Sequence, residues 1–321
     1  MALVEISGLN VTLATAGGQL PVLREITLSL QHGATLGLAG ESGSGKSLTA
    51  LALMGLLPVG ASVTGSIRLG GRELTLLDDA ALCRLRGSEM AMIFQEPMTA
   101  LNPLHRVGAQ IAEPLRLHRG LPRRVALAQT IGLMARVGLD EPARRARNYP
   151  HELSGGQRQR VMIAMALACG PKLLIADEPT TALDAITQAQ ILGLIRDLVA
   201  QESLALLLVS HDLGVVARNT TSLAVMYAGE IVETGATADV LARPAHPYTR
   251  GLMAARPALA HRGRLAAIPG TAPAPSALPP GCCFAPRCPL VVAACQTSRI
   301  GLVAVGPGHQ ARCIRALETR A

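Results

Sequence analysis

The octapeptide Gly40-Glu41-Ser42-Gly43-Ser44-Gly45-Lys46-Ser47 constrains this chain more than any other stretch, because it fits G-x-x-x-x-G-K-[ST] at every fixed position. Before it, the apolar run Ala34 to Ala39, interrupted by Gly37, reads as a buried strand; after it, Ser47 to Met54 reads as a helix. Strand, glycine-rich loop and helix are the context a phosphate-binding loop requires. Glycines let the backbone turn tightly and aim several N–H groups inward. The helix N-terminus adds unpaired donors and a partial positive charge. In such a loop Lys46 reaches the β- and γ-phosphates and the Ser47 hydroxyl holds Mg²⁺. Gly40, Ser42, Gly43 and Gly45 complete the candidate cofactor-binding set. The competing reading, a glycine-rich turn that happens to contain lysine, weakens once a strand and a helix flank it.

The rest of the chain reads as strands alternating with helices. Residues 2–13 and 22–30 alternate apolar and polar and are expected to be strands joined by Ala16-Gly17-Gly18. Ser66 to Leu69 is a short strand, and Met90 to Phe94 a buried one that stops at Gln95. From Leu104 to Leu139 the apolar spacing is helical, with Pro114 and Pro122 as interruptions. Pro171 precedes a continuous apolar strand ending at Asp177, Ala182 to Val199 reads as a helix, and Leu204 to Ser210 as another buried strand ending at His211. Buried strands between helices imply an α/β fold with a largely parallel sheet and ligands at the strand C-termini. Gln95, Asp177, Glu178 and His211 each stand at such an end, as does the phosphate loop.

Composition bounds the rest. A chain of 321 residues, 49% of them hydrophobic, has room for a sizeable core. That core is aliphatic, with no Trp, two Phe and three Tyr. No apolar run is long enough to span a bilayer, and the N-terminus lacks the pattern of a signal peptide, so a cytosolic protein is expected. The net charge of +8 fits nucleic acid or an anionic membrane face, but scattered surface arginine is the commoner explanation. Cys83 and Cys169 lie alone within helical patterns and are expected to be buried small hydrophobes.

Asp177 suits a water-mediated hold on Mg²⁺ opposite Ser47. Side chains alternate along a strand, so Asp177 and Glu178 cannot both face a metal unless the strand ends between them. Pro179 forces that ending, leaving Glu178 to orient an attacking water as general base. A second anion-type element is Leu153-Ser154-Gly155-Gly156-Gln157, expected to open a helix over Gln157 to Ala168 with Ser154 as N-cap.

In that order, Gly40–Ser47, Gln95, Leu153–Gln157, Leu173–Glu178, Ala182-Leu183-Asp184 and His211 resemble the Walker A, Q-loop, signature, Walker B, D-loop and H-loop of ABC-type ATPases. The resemblance covers roughly residues 3–250. It implies a P-loop NTPase (RecA-like) core, an antiparallel β subdomain, and a helical subdomain inserted near residues 96–165. It also implies that ATP is clamped between the phosphate loop of one subunit and the Ser154–Gln157 signature of another. His211 then contacts the γ-phosphate and organises the water and Asp184 across the interface, while Gln95 senses metal and nucleotide. One departure stands out: the family stacks adenine on an early aromatic residue, and here none precedes Phe94. Leu13 or Leu20 is expected in its place.

Glu96 to Pro103, Val161 to Ala166, Ile175 to Asp184, Met226 to Gly229 and His246-Pro247-Tyr248-Thr249 look like one branch, the ATPase subunits of bacterial dipeptide/oligopeptide permeases. That resemblance implies an importer at the cytoplasmic face of the bacterial inner membrane. Its expected partners are a second, similar ATPase subunit, two transmembrane permease subunits and an external solute-binding protein. A nickel, glutathione or opine importer is the near alternative, since the ATPase never touches the solute. A soluble ABC ATPase acting on nucleic acid would suit the charge, but the chain has no second cassette, no long coiled-coil insertion and no aromatic stacking surface. Nucleic acid is not an expected partner.

Residues 251–321 form a C-terminal extension. Its stretch from Ile268 to Pro280 is proline-rich and reads as a semi-rigid linker. Cys282, Cys288, Cys295 and Cys313 follow with gaps of five, six and seventeen residues, and Cys283 is an extra neighbour. Clustered cytosolic cysteines bind metal more often than they form disulfides. Four thiolates without histidine suit Zn²⁺ or an iron–sulfur cluster. The permease branch carries a [4Fe–4S] site of similar spacing around a Pro-Arg-Cys like Pro286-Arg287-Cys288, and by that resemblance Cys282 rather than Cys283 is the ligand. An iron–sulfur redox sensor that uses ATP rests on this tail alone. The tail lies beyond every nucleotide motif in sequence, so its centre is expected to be structural or regulatory.

Overall fold

The computed structural model describes residues 2–181, 183–255 and 267–319. In chain order, β1 (Ala2–Thr15), β2 (Gly18–Gln31) and β3 (Thr35–Ala39) lead to α1 (Lys46–Met54). Then come β4 (Ser62–Leu69), β5 (Arg72–Glu73), α2 (Asp79–Leu85) and β6 (Met90–Ile93). A helical stretch follows: α3 (Pro97–Ala100), α4 (Val107–Arg119), α5 (Arg123–Arg136), α6 (Pro142–Arg145) and α7 (Gly155–Leu167). The chain continues through β7 (Leu173–Asp177), α8 (Ala185–Glu202), β8 (Ala205–Ser210) and α9 (Leu213–Asn219). It closes with β9 (Ser222–Tyr227), β10 (Glu230–Ala236), α10 (Thr237–Ala242), α11 (Pro247–Ala254), α12 (Ala294–Thr297), β11 (Val303–Gly306), β12 (His309–Ala311) and α13 (Ala316–Thr319).

Two compact units result: residues 31–34 with 76–207, and residues 2–30 with 35–75 and 208–321. The second holds an antiparallel sheet in the order β2-β1-β4-β5 and a mixed sheet in the order β11-β12-β10-β9-β3. There β3 pairs in parallel with β9, Leu36 opposite Ser222 and Ala39 opposite Val225. The core strands are largely apolar because both faces are covered. Leu38, Ala39, Ala224 and Val225 are fully buried.

The first unit holds β6, β7 and the start of β8 up to Leu207, with β6 and β7 parallel from Met90 opposite Leu173 to Ile93 opposite Ala176. Its helices α4, α5 and α7 close over Ala112, Leu115 and Ala126. Pro114 sits inside α4 and does not break it, whereas Pro122 does separate α4 from α5 as its N-cap. α7 starts at Gly155, two residues before the expected Gln157, so both glycines belong to its first turn. α8 starts at Ala185, later than expected; Ala182 lies outside the described residues. Cys169 is buried as expected, but Cys83 is exposed on α2. Among the described residues, no helix is long and apolar enough to cross a membrane.

Gly37, the one gap in the apolar run of β3, has a packing reason. A Cβ built there would lie 2.2 Å from Val216 Cγ1 and 2.9 Å from Thr220 Oγ1, so α9 rests directly on the strand backbone. Gly37→Ala should therefore overpack this layer and lower stability by about 1–3 kcal/mol. The midpoint of urea unfolding, followed by circular dichroism, checks this; an unchanged midpoint would contradict the packing.

Candidate functional site

In the second unit the phosphate loop is fixed on three sides. Gly40 has φ 155°, and a Cβ on it would stand 2.2 Å from the Met226 carbonyl oxygen. Only glycine lets β9 run that close. Gly45, at φ 102°, is the N-cap of α1. The β9–β10 turn, Ala228-Gly229, has positive φ at both residues, as a two-residue hairpin turn of this hand requires. The Gly229 N–H donates to the Ser44 carbonyl (3.0 Å), and the Arg24 N–H donates to the Gly229 carbonyl (2.8 Å). Lys46 is buried; its ammonium donates to the carbonyls of Gly40 and Glu41, each at 2.9 Å. Ser47 follows it, half-buried, in the first turn of α1.

A cavity of about 180 Å³ opens beside this loop, lined by Glu41 to Gly45 and Leu48, by Pro21 and Val22 of β2, and by Tyr227 to Gly229. Leu13 and Leu20, expected as the adenine platform, are not in that lining. The remaining wall comes from the C-terminal extension: Ala272, Pro273, Pro275 and Leu278. The tail is therefore not remote from the nucleotide motifs. Glu41 meets it twice more. Its carboxylate accepts from both terminal nitrogens of Arg287 (2.8 and 3.1 Å), and its N–H donates to the Tyr248 hydroxyl oxygen (2.7 Å). His211 is exposed at the end of β8, directly before Asp212, whose carboxylate caps α9 by accepting from the Gly214 N–H (2.6 Å).

In the first unit, β7 ends at Asp177, which is buried, and Glu178 takes a left-handed backbone with φ 44°. That turn breaks the strand alternation between the two carboxylates. Glu178 Oε2 accepts from Gln95 Nε2 at 3.4 Å and from Thr181 Oγ1 at 3.0 Å. Gln95 and Glu178 were both expected; Thr181 was not, although a hydroxyl three residues after a carboxylate in a turn is a legible signal.

The Ser154 element forms a capping box. Ser154 Oγ accepts from the Gln157 N–H (3.4 Å), and Gln157 Oε1 accepts from the Ser154 N–H (3.0 Å). The two glycines also have a packing reason: a Cβ on Gly156 would meet Thr187 Cγ2 at 2.8 Å, and one on Gly155 would meet Leu183 Cδ2 at 3.3 Å. Asp184 caps α8, accepting from the N–H groups of Ile186 (3.1 Å) and Thr187 (2.9 Å) and from the Thr187 hydroxyl (2.7 Å). Those bonds, the Thr187 N–H first, hold its carboxyl below the usual aspartate range.

The tail thiols are near neighbours. The Cys282 N–H donates to the Cys295 carbonyl (2.8 Å). Burial pushes the Cys282 thiol up to about 12, with Cys283, Cys288 and Cys313 adding to the shift. Burial raises Cys288 and Cys313 too, Cys295 contributing to both. Cys283 turns elsewhere: its sulfur accepts from Arg24 Nη2 (2.7 Å) and approaches Glu230 Oε2 (3.6 Å). The donor set fits a soft metal centre. Yet among the described residues no group of three or more His, Cys, Asp or Glu side chains is gathered closely enough to hold a metal ion. The expected [4Fe–4S] or Zn²⁺ site is thus a set of neighbouring thiols here, and not a formed coordination shell.

Comparison with known proteins places these features. The ABC transporter family model matches residues 23–181, and the model for the C-terminal region of oligopeptide/dipeptide transporters matches 232–295. A candidate peptide import ATP-binding protein of Brucella ovis is 47% identical over 99% of this chain and 98% of its own length. The oligopeptide transport ATP-binding protein OppD of Salmonella typhimurium is 46% identical over 98% of this chain and 94% of its own. A dimeric ATP-binding cassette solved in a post-hydrolysis state with ADP and phosphate is similar in structure, with a TM-score of 0.65 and 27% identity over 73% of this chain and 98% of that one.

The Asp184 cap carries a pH signature. Its lowered folded pKa means the cap stabilises fully above the unfolded value, and that contribution is lost as pH falls through the folded one. The stability gap between wild type and Asp184→Ala should stay constant from neutrality down to the ordinary aspartate value near 3.8, then shrink at lower pH. Urea unfolding across that range measures the gap; a gap that widens towards acid would refute the assignment.

Proposed function

The chain belongs to the ATP-binding subunits of ABC transporters, and on that premise we propose that it powers import of di- or oligopeptides by hydrolysing ATP at the cytoplasmic face of the bacterial inner membrane. The observation that carries this reading is the full-length likeness to the oligopeptide transport ATP-binding protein, including the C-terminal block at residues 232–295. Import of nickel, glutathione or an opine through the same machinery is the second reading. A soluble ATPase acting on nucleic acid has only the net charge of +8 in its favour.

We assign the roles as follows. Lys46 neutralises charge on the β- and γ-phosphates, Ser47 ligates Mg²⁺, and the loop N–H groups from Gly40 to Gly45 hold the remaining oxygens. Asp177 takes a water of the metal. Glu178 is the general base, steadied by Gln95 and Thr181 through the bonds described above. Ser154 to Gln157 face the phosphates bound by a partner ATPase subunit, so that negative charge is met from both sides and water is excluded. His211 and Asp184 complete that shared assembly. The domain reading is a nucleotide-binding domain over residues 1–250, with a helical subdomain near 96–165, and an extension over 251–321. Two permease subunits and an external binding protein complete the transporter.

The function test uses the assembled transporter. Glu178→Gln should retain ATP binding and lower ATP turnover by about 10²-fold or more, the scale of a general base. Lys46→Ala should weaken binding itself. Phosphate release and nucleotide titration read the two outcomes, and wild-type turnover in Glu178→Gln would end the general-base assignment.

We further propose that Cys282, Cys288, Cys295 and Cys313 close on a metal centre, a [4Fe–4S] cluster ahead of Zn²⁺. Their donor chemistry and shared neighbourhood support it. Ligation would tie together a segment too short to form its own core. Anaerobic purification followed by iron, sulfide and zinc analysis should give about four irons per chain, the content of a [4Fe–4S] cluster. Cys288→Ser should abolish the metal and Cys283→Ser should not. Metal-free protein with all thiols open to alkylation would remove this part of the reading.

A further inference from the structure

Glu41 sets a carboxylate inside a loop that binds anions. Left alone, it would repel the phosphates beside it. Arg287 resolves this by gripping both carboxylate oxygens, in the paired geometry a guanidinium fork favours. The same guanidinium donates to the carbonyls of Pro269 (3.0 Å) and Ile268 (3.3 Å) and to the Tyr227 hydroxyl (3.3 Å). One side chain thus ties the phosphate loop to the start of the proline-rich segment.

That segment then continues into the cavity wall. Ala272 and Pro275 are exposed, and Pro273 and Leu278 are half-buried, so these residues keep apolar surface available instead of using it in the core. Proline suits such a wall. Its φ is fixed, so little freedom is lost when a ligand packs on it, and it has no N–H to leave unsatisfied beneath a flat apolar ring. Val22 and Pro21 of β2 extend the same aliphatic lining.

We propose that the tail segment Ala272–Leu278 is a wall of the nucleoside subsite, packing against the base and ribose of ATP in place of the missing early aromatic. Arg287 and Glu41 are the positioning pair that holds this wall on the phosphate loop. The proposal rests on the nucleotide site assigned above, and it makes the C-terminal extension part of that site.

The test titrates full-length protein with ATP and, separately, with inorganic tripolyphosphate, which carries the charge without the nucleoside. Leu278→Ser should weaken ATP about fivefold, the scale of one partly buried aliphatic contact, and leave tripolyphosphate unchanged. Arg287→Gln should weaken both ligands, because it frees the wall and uncovers the Glu41 charge. Adding Glu41→Gln to Arg287→Gln should restore tripolyphosphate but not ATP. If Leu278→Ser fails to fold, Ala272→Tyr replaces it: this exposed position should change ATP affinity at least about threefold with tripolyphosphate unmoved, as expected for a ring added to a nucleoside wall. Equal ATP-to-tripolyphosphate ratios in wild type and in the folded wall variant would overturn the proposal. Unchanged binding of both ligands in Lys46→Ala would instead overturn the nucleotide site itself, so the two failures are distinguishable.

Discussion

A guanidinium taken out of water needs partners on every side, and the second unit is arranged to provide them for Arg287. Its side chain is 5% exposed. The Glu41 carboxylate takes the two terminal nitrogens, two carbonyls and a phenol take further donors, and the rings of Tyr227 and Phe284 lie 5.7 and 5.9 Å from its carbon. Tyr227, Tyr248 and Phe284, drawn from a chain with only two Phe and three Tyr, pack within 5.4 Å of one another by ring centre. Removing Glu41 would strand a buried guanidinium, whereas removing Arg287 would leave a carboxylate that is 31% exposed and can still reach water. Lysine would not substitute, since a point charge cannot bridge two oxygens and lie against rings at once. The aliphatic chain places three of its five Phe and Tyr residues here, at the root of the tail, where Tyr227 also lines the cavity beside the phosphate loop.

Elsewhere the residues proposed for chemistry are also those that end strands and begin helices. Ser154 and Asp184 are N-caps, and Gly45 opens α1. Glu178 carries the left-handed turn that stops β7. A helix N-terminus needs its donors satisfied whether or not a ligand is present, so the same side chains hold the fold and present the chemistry. A non-glycine residue at positive φ costs of order 1 kcal/mol; Glu178 bears it, as do Glu25, Glu141, Ser203 and Ala228 elsewhere, and at Glu178 the Gln95 and Thr181 contacts fix the carboxylate beside the turn.

Much of this was legible in the residues because phosphate loops, strand-end carboxylates and caps are short, local and chemically specific. Gly40–Ser47, Asp177-Glu178, Gln95 and Ser154 were all found that way. What escaped were relations between distant residues. Arg287 and Glu41 stand 246 positions apart, and no local pattern joins them. The proline-rich stretch read as a linker because its composition describes stiffness and says nothing of what it lies against. Gly156 read only as an open anion site because Thr187, which forbids it a side chain, comes from another helix. Pro114 read as a break because helix geometry penalises it locally, while packing against α5 and α7 holds α4 together. Cys83 faces solvent for the converse reason: helical spacing alone does not say which face of α2 is covered.

The bare backbone at Gly37 has a consequence beyond packing. α9 lays the Val216 methyl and the Thr220 hydroxyl on the bare backbone of Gly37 in β3, and α9 begins at the Asp212 cap, one residue after His211. β3 also runs straight into the phosphate loop. The spacing between the histidine and that loop is therefore set by one layer of side chains, Val216 and Thr220, lying on bare strand backbone instead of interleaving with a second layer. A carbon missing from the strand thus acts as a distance setting for a side chain at the far end of the helix cap.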